Sequence, residues 1–179
     1  GWTDETGTTF SQRSKEEAND YRYFPEPDIP PFAISRAWVE EVESGLPELP
    51  VARKLRYERD YGLSSYDAGL LTVSRPLADY FEKALGEGAG PQGERERAAK
   101  SVSNWLLGEF NRLVSESGTA VTETKVQPDQ ILKLQALVDG GTLSSSMAKT
   151  VFADMFETGR AAKESASALG MEQISDTDA

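Results

Sequence analysis

The sequence predicts a mainly α-helical protein with an extended N-terminal strap, a helical bundle domain and part of a second small helical domain. Three observations predict this class. Four prolines fall within residues 25–31, apolar residues recur at helical spacing from residue 35 onward, and serine, proline and glycine stand where helices begin and end. Proline fixes φ and lacks the amide donor of a β ladder, so the segment 14–31, here called the strap, is expected to be stiff and extended.

Each predicted helix has a start signal and a stop signal. Ser35 is expected to cap the first helix and Gly45 to end it, whereas Pro50 opens the second helix and Gly62 ends it. Further starts are predicted at Ser64, Ser74, about Glu94, Pro128, and Ser144 or Ser145. The clearest apolar stripe follows a glycine-rich loop at 86–93 and consists of Val102, Trp105, Leu106, Phe110 and Leu113.

We predict three regions: an extended remnant of a preceding domain at 1–35, a helical domain at 36–127, and part of a second helical domain at 128–179. Ser175 and Asp178 have the spacing of a capping box, but no helix follows them. This start signal predicts that the sequence belongs to a longer chain.

Composition excludes several kinds of chemistry. The 179 residues contain no cysteine and no histidine, so a disulfide framework, the common zinc sites, a thiol nucleophile and a histidine base are excluded. Carboxylates alone could still hold magnesium, although we predict no metal site in this chain. No apolar run approaches the roughly 20 residues of a membrane span, and no secretory signal is visible at residue 1.

The formal net charge of -11 argues against broad nonspecific binding to nucleic acid, because phosphates repel an acidic protein. A local basic face remains possible on the C-terminal helices. Its candidates are Lys133, Lys149, Arg160 and Lys163. Ordinary solvated positions, balanced by Glu157 and Glu164, explain the same residues equally well, and periodicity does not decide between the two interpretations.

Two motifs resemble catalytic signatures but lack the required context. Ser146 and Lys149 form a Ser-x-x-Lys motif without the companion elements of serine β-lactamases, so a capped helix start is the better interpretation. The loop 86–93 lacks the Gly-Lys-Ser/Thr end of a phosphate loop and follows no strand.

The run "YRYFPEPD" at 21–28 supplies the candidate catalytic residues Arg22, Glu26 and Asp28. Arginine and aromatic rings could contact a phosphate or a base, and the two carboxylates could bind magnesium. A structural strap explains the run more simply, because one pair of carboxylates is weak evidence for a site.

Three separated blocks resemble the B subunit of aspartyl/glutamyl-tRNA(Asn/Gln) amidotransferase. The first is "RSKEEANDYRYFPEPDIPP", and the second is "LPELPVARKLRYERDYGLSSYDAGLLT", continued by "LADYFE" and "SVSNWLLGEF". The third, "GGTLSSSMAKTVFADMFETGRAAKESASALGMEQISD", resembles the family's YqeY-type tail domain. By this resemblance the regions are the end of a cradle domain, a helical domain and a partial tail.

The resemblance implies a cytoplasmic heterotrimeric ligase whose other members are the amidase (A) subunit, which hydrolyses glutamine, and the small (C) subunit. It implies conversion of Glu-tRNA(Gln) or Asp-tRNA(Asn) to the amide form through an acyl phosphate made with ATP and magnesium. Those cofactors belong to the cradle, so none is expected on this chain, which should be inactive alone. The tail would hold tRNA(Gln) or tRNA(Asn), with Lys149, Arg160 and Lys163 as candidate contacts. A helical protein-interaction module without an RNA role is the alternative.

Overall fold

A computed structural model describes residues 1–10, 28–86 and 91–171. Within these ranges the predicted mainly α class is confirmed, since helices dominate and the strands form one short pair. Residues 28–35 contain neither helix nor strand. The strap up to residue 27 and the predicted start at Ser175 lie outside the described residues. The chain divides into two compact units, residues 1–46 and 47–179.

The smaller unit contains a hairpin and one helix. Strands β1 (Trp2–Thr3) and β2 (Thr8–Thr9) are antiparallel, with Trp2 opposite Thr9. Helix α1 spans Arg36–Gly45 and begins as predicted, because the Ser35 hydroxyl accepts a hydrogen bond from the Trp38 amide at 3.2 Å. None of its residues is buried, and the Trp38 side chain is exposed.

The larger unit is a helical bundle. Its helices are α2 (Pro50–Tyr61), α3 (Ser65–Leu71), α4 (Arg75–Leu85), α5 (Gln92–Trp105), α6 (Asn111–Ser117), α7 (Asp129–Asp139), α8 (Ser145–Thr158) and α9 (Ala162–Ala168). The predicted caps are confirmed for α3, α4 and α8, where a serine hydroxyl accepts the amide three residues later. These bonds join Ser64 to Asp67, Ser74 to Leu77 and Ser144 to Met147 at 3.0, 3.4 and 3.3 Å.

The helix predicted from about Glu94 differs from the prediction in two ways. It begins at Gln92, because the Pro91 carbonyl accepts from the amides of Glu94 and Arg95 and starts the first turn earlier. Between α5 and α6 the chain forms a π-helical turn at Leu106–Phe110. Val102, Leu106 and Phe110 are four residues apart. In a regular α-helix each such step would rotate the side chain about the helix axis by about 40° relative to the previous one. The wider turn keeps all three side chains in the core, where each is at most 1% exposed.

One hydrophobic core runs through the larger unit. Helix α7 contacts α4 and α5 as well as α8 and α9. The Tyr80 hydroxyl donates to the Val126 carbonyl at 2.8 Å, and the Tyr80 ring packs on Phe110, which in turn contacts Phe156. A short 3-10 turn at Val121–Glu123 also touches α4. The predicted boundaries after residues 35 and 127 stay predictions. No helix within the described ranges has a stretch long and apolar enough to cross a bilayer.

Candidate functional site

The candidate catalytic residues of the strap are mostly beyond what the structure describes. Arg22 and Glu26 lie outside the described residues. Asp28 is exposed and makes no hydrogen bond or ion pair with another described residue. No group of three acidic side chains gathers in the described ranges as it would at a metal site. Catalytic roles for Arg22, Glu26 and Asp28 therefore stay predictions.

The candidate basic face is divided between the two ends of α8. Lys149 lies in the second turn of α8, and its Nζ is 3.3 Å from Glu109 Oε1. Arg160 follows the other end of the helix, with its Nη1 3.5 Å from Asp154 Oδ1. Helical rise separates Lys149 from Thr158, the last residue of α8, by about 14 Å along the axis. The structure thus supplies two basic points rather than one tight cluster.

Lys163, at the start of α9, is the candidate with most freedom. Its side chain is exposed and has no ion-pair partner among the described residues. Lys133 differs, because its Nζ lies 2.7 Å from Asp129 one helical turn earlier. Three of the four basic candidates therefore already have a carboxylate partner. A phosphate that binds one of these cations would have to share it with that carboxylate.

An open groove lies between α5, the π-helical turn, α6, α7 and α8. We call it the α8 groove. It encloses about 490 Å³, and its lining includes Trp105, Gly108, Arg112, Gln135, Ser145 and Lys149. Lys149 is thus the only sequence-predicted site residue among these lining residues.

Hydrogen bonds fix the polar groups on one side of the α8 groove. Trp105 Nε1 donates to Gln135 Oε1 at 2.8 Å, and Gln135 Nε2 donates to Asp139 Oδ1 at 2.8 Å. The Trp105 ring is half-buried and packs against Phe152, with ring centroids 5.2 Å apart. These contacts hold the indole and the amide at one edge of the groove.

A carboxylate holds the two cations of the α8 groove. Glu109 accepts from Arg112 Nε at 2.9 Å and contacts Lys149 across the groove. The hydrogen bond from Arg112 lowers the pKa of Glu109, against a smaller opposing effect of burial, and Lys149 lowers it further. Glu109 is therefore ionised at neutral pH. Arg112 also donates to Glu116 at 2.6 Å.

Sequence reasoning missed the α8 groove because its parts are far apart in the chain. Trp105 and Gln135 are 30 residues apart, and Glu109 meets Lys149 from a different helix. The one local signal is Gly108, an exposed glycine between Leu106 and Phe110, where the π-helical turn forms. The apolar stripe predicts that Trp105 lies in the core. Trp105 does pack against the core, and its side chain also lines the α8 groove.

A second polar cluster joins α2 to α4 and was also missed. Glu82 accepts from Arg53 Nε and from the Tyr57 hydroxyl at 2.9 Å each, and it pairs with Arg56 as well. Arg53 also contacts Asp79 at 2.6 Å. Burial, reinforced by Glu82, raises the pKa of the Tyr57 hydroxyl, which stays protonated and donates its hydrogen. We interpret this cluster as a structural clamp.

Family comparisons cover both ends of the chain. A family described as "GatB domain" matches residues 79–179, and one described as "GatB/GatE catalytic domain" matches residues 1–40.

Several curated relatives are similar over nearly all of the chain. Three of them are each named as the B subunit of aspartyl/glutamyl-tRNA(Asn/Gln) amidotransferase. The relative from Carboxydothermus hydrogenoformans is 46% identical over 98% of this chain and 35% of its own length. The relative from Geotalea daltonii is 48% identical over 96% of this chain and 34% of its own, and that from Dehalococcoides mccartyi is 46% identical over 99% and 36%.

The chain thus spans about a third of the length of these relatives. The GatB domain match covers more than half of the 179 residues, and the sequence blocks that suggested the family lie within the region of similarity. The chain therefore belongs to the GatB family.

Proposed function

We propose that this chain is part of the B subunit of an aspartyl/glutamyl-tRNA amidotransferase and that its role is to position the tRNA. The observation that carries the proposal is the 46% identity over 98% of the chain with a relative of that name. In the proposed complex the chain works in the cytoplasm beside an amidase subunit, the source of ammonia, and a small third subunit. The substrates are Glu-tRNA(Gln) or Asp-tRNA(Asn).

We assign no step with ATP or magnesium to the described residues. Within ranges 1–10, 28–86 and 91–171 no group of three acidic side chains is arranged to hold a metal ion, and Asp28 is exposed. Magnesium bound together with a nucleotide usually takes one or two protein carboxylates as well as substrate phosphates. Following the family resemblance, this proposal assigns activation of the carboxylate by ATP to the cradle domain, of which this chain holds only the end.

Positioning of tRNA needs contacts with its backbone and shape rather than with a base sequence, which suits an enzyme that accepts two tRNAs. Lys149, Arg160 and Lys163 are exposed at the two ends of α8 and at the start of α9. A spread of cations along a helix can meet successive phosphates. The net charge of -11 means that attraction must be local to this face.

The test is a triple charge reversal, Lys149→Glu, Arg160→Glu and Lys163→Glu, in the full-length protein within its complex. We expect the Michaelis constant for tRNA to rise by about tenfold or more, because each lost phosphate contact removes counterion release. The slope of log affinity against log salt should flatten by about 2, for the same reason.

The matched control reverses Lys54, Arg75 and Lys83, which are surface positions on α2 and α4 and change the net charge equally. Its tRNA Michaelis constant should stay within about twofold of the wild-type value, since a charge distant from a phosphate is screened. An unchanged Michaelis constant and salt slope in the first triple variant would refute the proposed face.

One observation favours the alternative role in protein interaction. Helices α2 and α3 expose apolar side chains, with Val51 and Tyr66 each 73% exposed and Leu55 58% exposed. Such a surface fits an apolar partner, here the amidase or the small third subunit. If Val51→Asp and Tyr66→Asp abolish co-purification of these two partners while the charge reversals leave tRNA binding intact, the interaction role is the better description.

A further inference from the structure

We propose that the α8 groove binds one unstacked nucleoside of the tRNA together with its phosphate. The inference rests on the proposed tRNA role and adds a binding site to it. It starts from the juxtaposition of an indole, fixed amide groups and two cations around one open groove.

The groove has the size and lining of a small-ligand site. Its volume of about 490 Å³ lies within the range of roughly 300–1,000 Å³ that is usual for such sites. Trp105 supplies a half-buried aromatic surface, and Asn104, Gln135 and Ser145 supply groups that donate or accept hydrogen bonds. Proteins bind single-stranded bases with aromatic surface and polar side chains of this kind.

The polar groups are held in place without ligand. The amide of Gln135 bonds Trp105 on one side and Asp139 on the other, which sets the direction of its oxygen and its nitrogen. A base edge entering the groove therefore meets oriented groups instead of freely rotating ones. Preorganisation of this kind reduces the entropy lost on binding.

The cations suit a single phosphate. Lys149 has three ammonium hydrogens but one ion-pair contact, to Glu109 at 3.3 Å, and its side chain is 62% exposed. Arg112 bonds both Glu109 and Glu116, so it is positioned at the groove and partly neutralised. The carboxylates nearby disfavour a long run of phosphates, and this favours one nucleotide over a continuous strand.

The π-helical turn provides the entrance. At Gly108 a side-chain carbon would meet no atom within 4 Å, so the space above this residue is open. Gly108 lies inside the turn Leu106–Phe110, and π turns within α-helices are frequent at functional sites. A side chain at residue 108 would therefore start in open space at the lining of the groove.

The first test is Gly108→Leu in the full complex, with Gly93→Leu as its control. Gly93 is also helical and open, but it lies in the first turn of α5, away from the groove. We expect Gly108→Leu to raise the dissociation constant for tRNA about tenfold, as expected from the loss of one stacked base. Its salt slope should flatten by about 1, because the phosphate contact of the excluded nucleotide is lost with the base, whereas the triple charge reversal flattens the slope by about 2.

The second test is Ser145→Asp, compared with Ser146→Asp. Both residues lie in the first turn of α8, where an acidic side chain favours the helix, so both variants should fold. Only Ser145 lines the groove. We expect Ser145→Asp to weaken tRNA binding about tenfold and Ser146→Asp to weaken it by less than about twofold, because only the first places its charge beside the bound phosphate.

The outcomes separate this inference from the proposed function. If both groove variants bind tRNA like the wild type while the triple charge reversal weakens binding, the groove is refuted and the basic face stands. Equal effects of Ser145→Asp and Ser146→Asp would also refute the groove. The added negative charge would then repel the tRNA from either position, independently of binding in the groove. If Gly108→Leu proves unfolded in thermal denaturation, the serine pair decides alone.

Discussion

Glu82 is the residue through which α4 holds α2. It accepts hydrogen bonds from Arg53 and Tyr57 and pairs with Arg56. Burial acts to raise its pKa, but the hydrogen bonds from Arg53 and Arg56 outweigh burial, and the pKa of Glu82 is below its usual 4.5. The carboxylate is therefore charged and bound in the folded protein.

We predict that Glu82→Gln lowers the free energy of unfolding by about 1–2 kcal/mol at pH 7, because a shared charged acceptor becomes a neutral amide. Asp79 still contacts Arg53 in this variant, which limits the loss. Urea unfolding measures the effect, and Glu123→Gln, at an exposed site, is the control.

Folding lowers the pKa of Glu82, so its charged form stabilises the folded protein at pH values above the usual carboxylate pKa. This stabilisation is lost as the pH falls through the pKa that Glu82 has in the folded protein. The difference between wild type and Glu82→Gln should therefore shrink below pH about 4.5, and a constant difference down to pH 3 would contradict this assignment.

At the level of helices, the sequence predicts where elements start and stop better than how they pack. The serine caps at 35, 64, 74 and 144 are predictable because capping depends on residues within one turn. The π-helical turn is not, because it follows from the need to keep Leu106 and Phe110 in a core built by distant helices. The α8 groove escapes prediction for the same reason, and only Lys149 among its lining residues is a site candidate from sequence.

The end of α2 gives a prediction at this scale. Gly62 has φ +61, and a side-chain carbon there would lie 3.2 Å from the Glu96 side chain. Gly62→Ala should destabilise by about 1 kcal/mol, because alanine rarely adopts this left-handed conformation.

The same substitution at Gly69 should have the opposite sign. Gly69 lies inside α3 and would make an ordinary contact with Lys54 at 3.8 Å. Gly69→Ala should stabilise by about 0.5 kcal/mol through helix propensity. Urea midpoints of the two variants test the pair, and a shift in the same direction for both would show that backbone conformation does not control the end of α2.

For the whole molecule, charge pairing determines how stability depends on pH. Hydrogen bonds from lysine or arginine partners are the main cause of lowered pKa values at several carboxylates, which are Glu48, Asp67, Glu109 and Asp129. Each carboxylate with a lowered pKa stabilises the folded protein at pH values above the usual carboxylate pKa. This stabilisation is lost as the pH falls through the pKa of that carboxylate in the folded protein.

We therefore predict a free energy of unfolding that is flat from pH about 6 to 8 and falls steadily below pH about 5. The flat region follows because the chain has no histidine to titrate there. Urea unfolding at a series of pH values measures the curve. A step near pH 6.5 would contradict the prediction, and high salt should reduce the slope in the acidic range by screening the exposed pairs.

The placement of the three tryptophans gives the molecule two separate fluorescent reporters. Trp2 and Trp38 are in the smaller unit and face solvent, whereas Trp105 is in the larger unit and is half-covered by Phe152. Indoles in water emit at longer wavelengths than shielded ones. Replacing Trp2 and Trp38 with phenylalanine would leave emission from the larger unit alone, and its quenching or spectral shift would follow events beside Gln135 in real time.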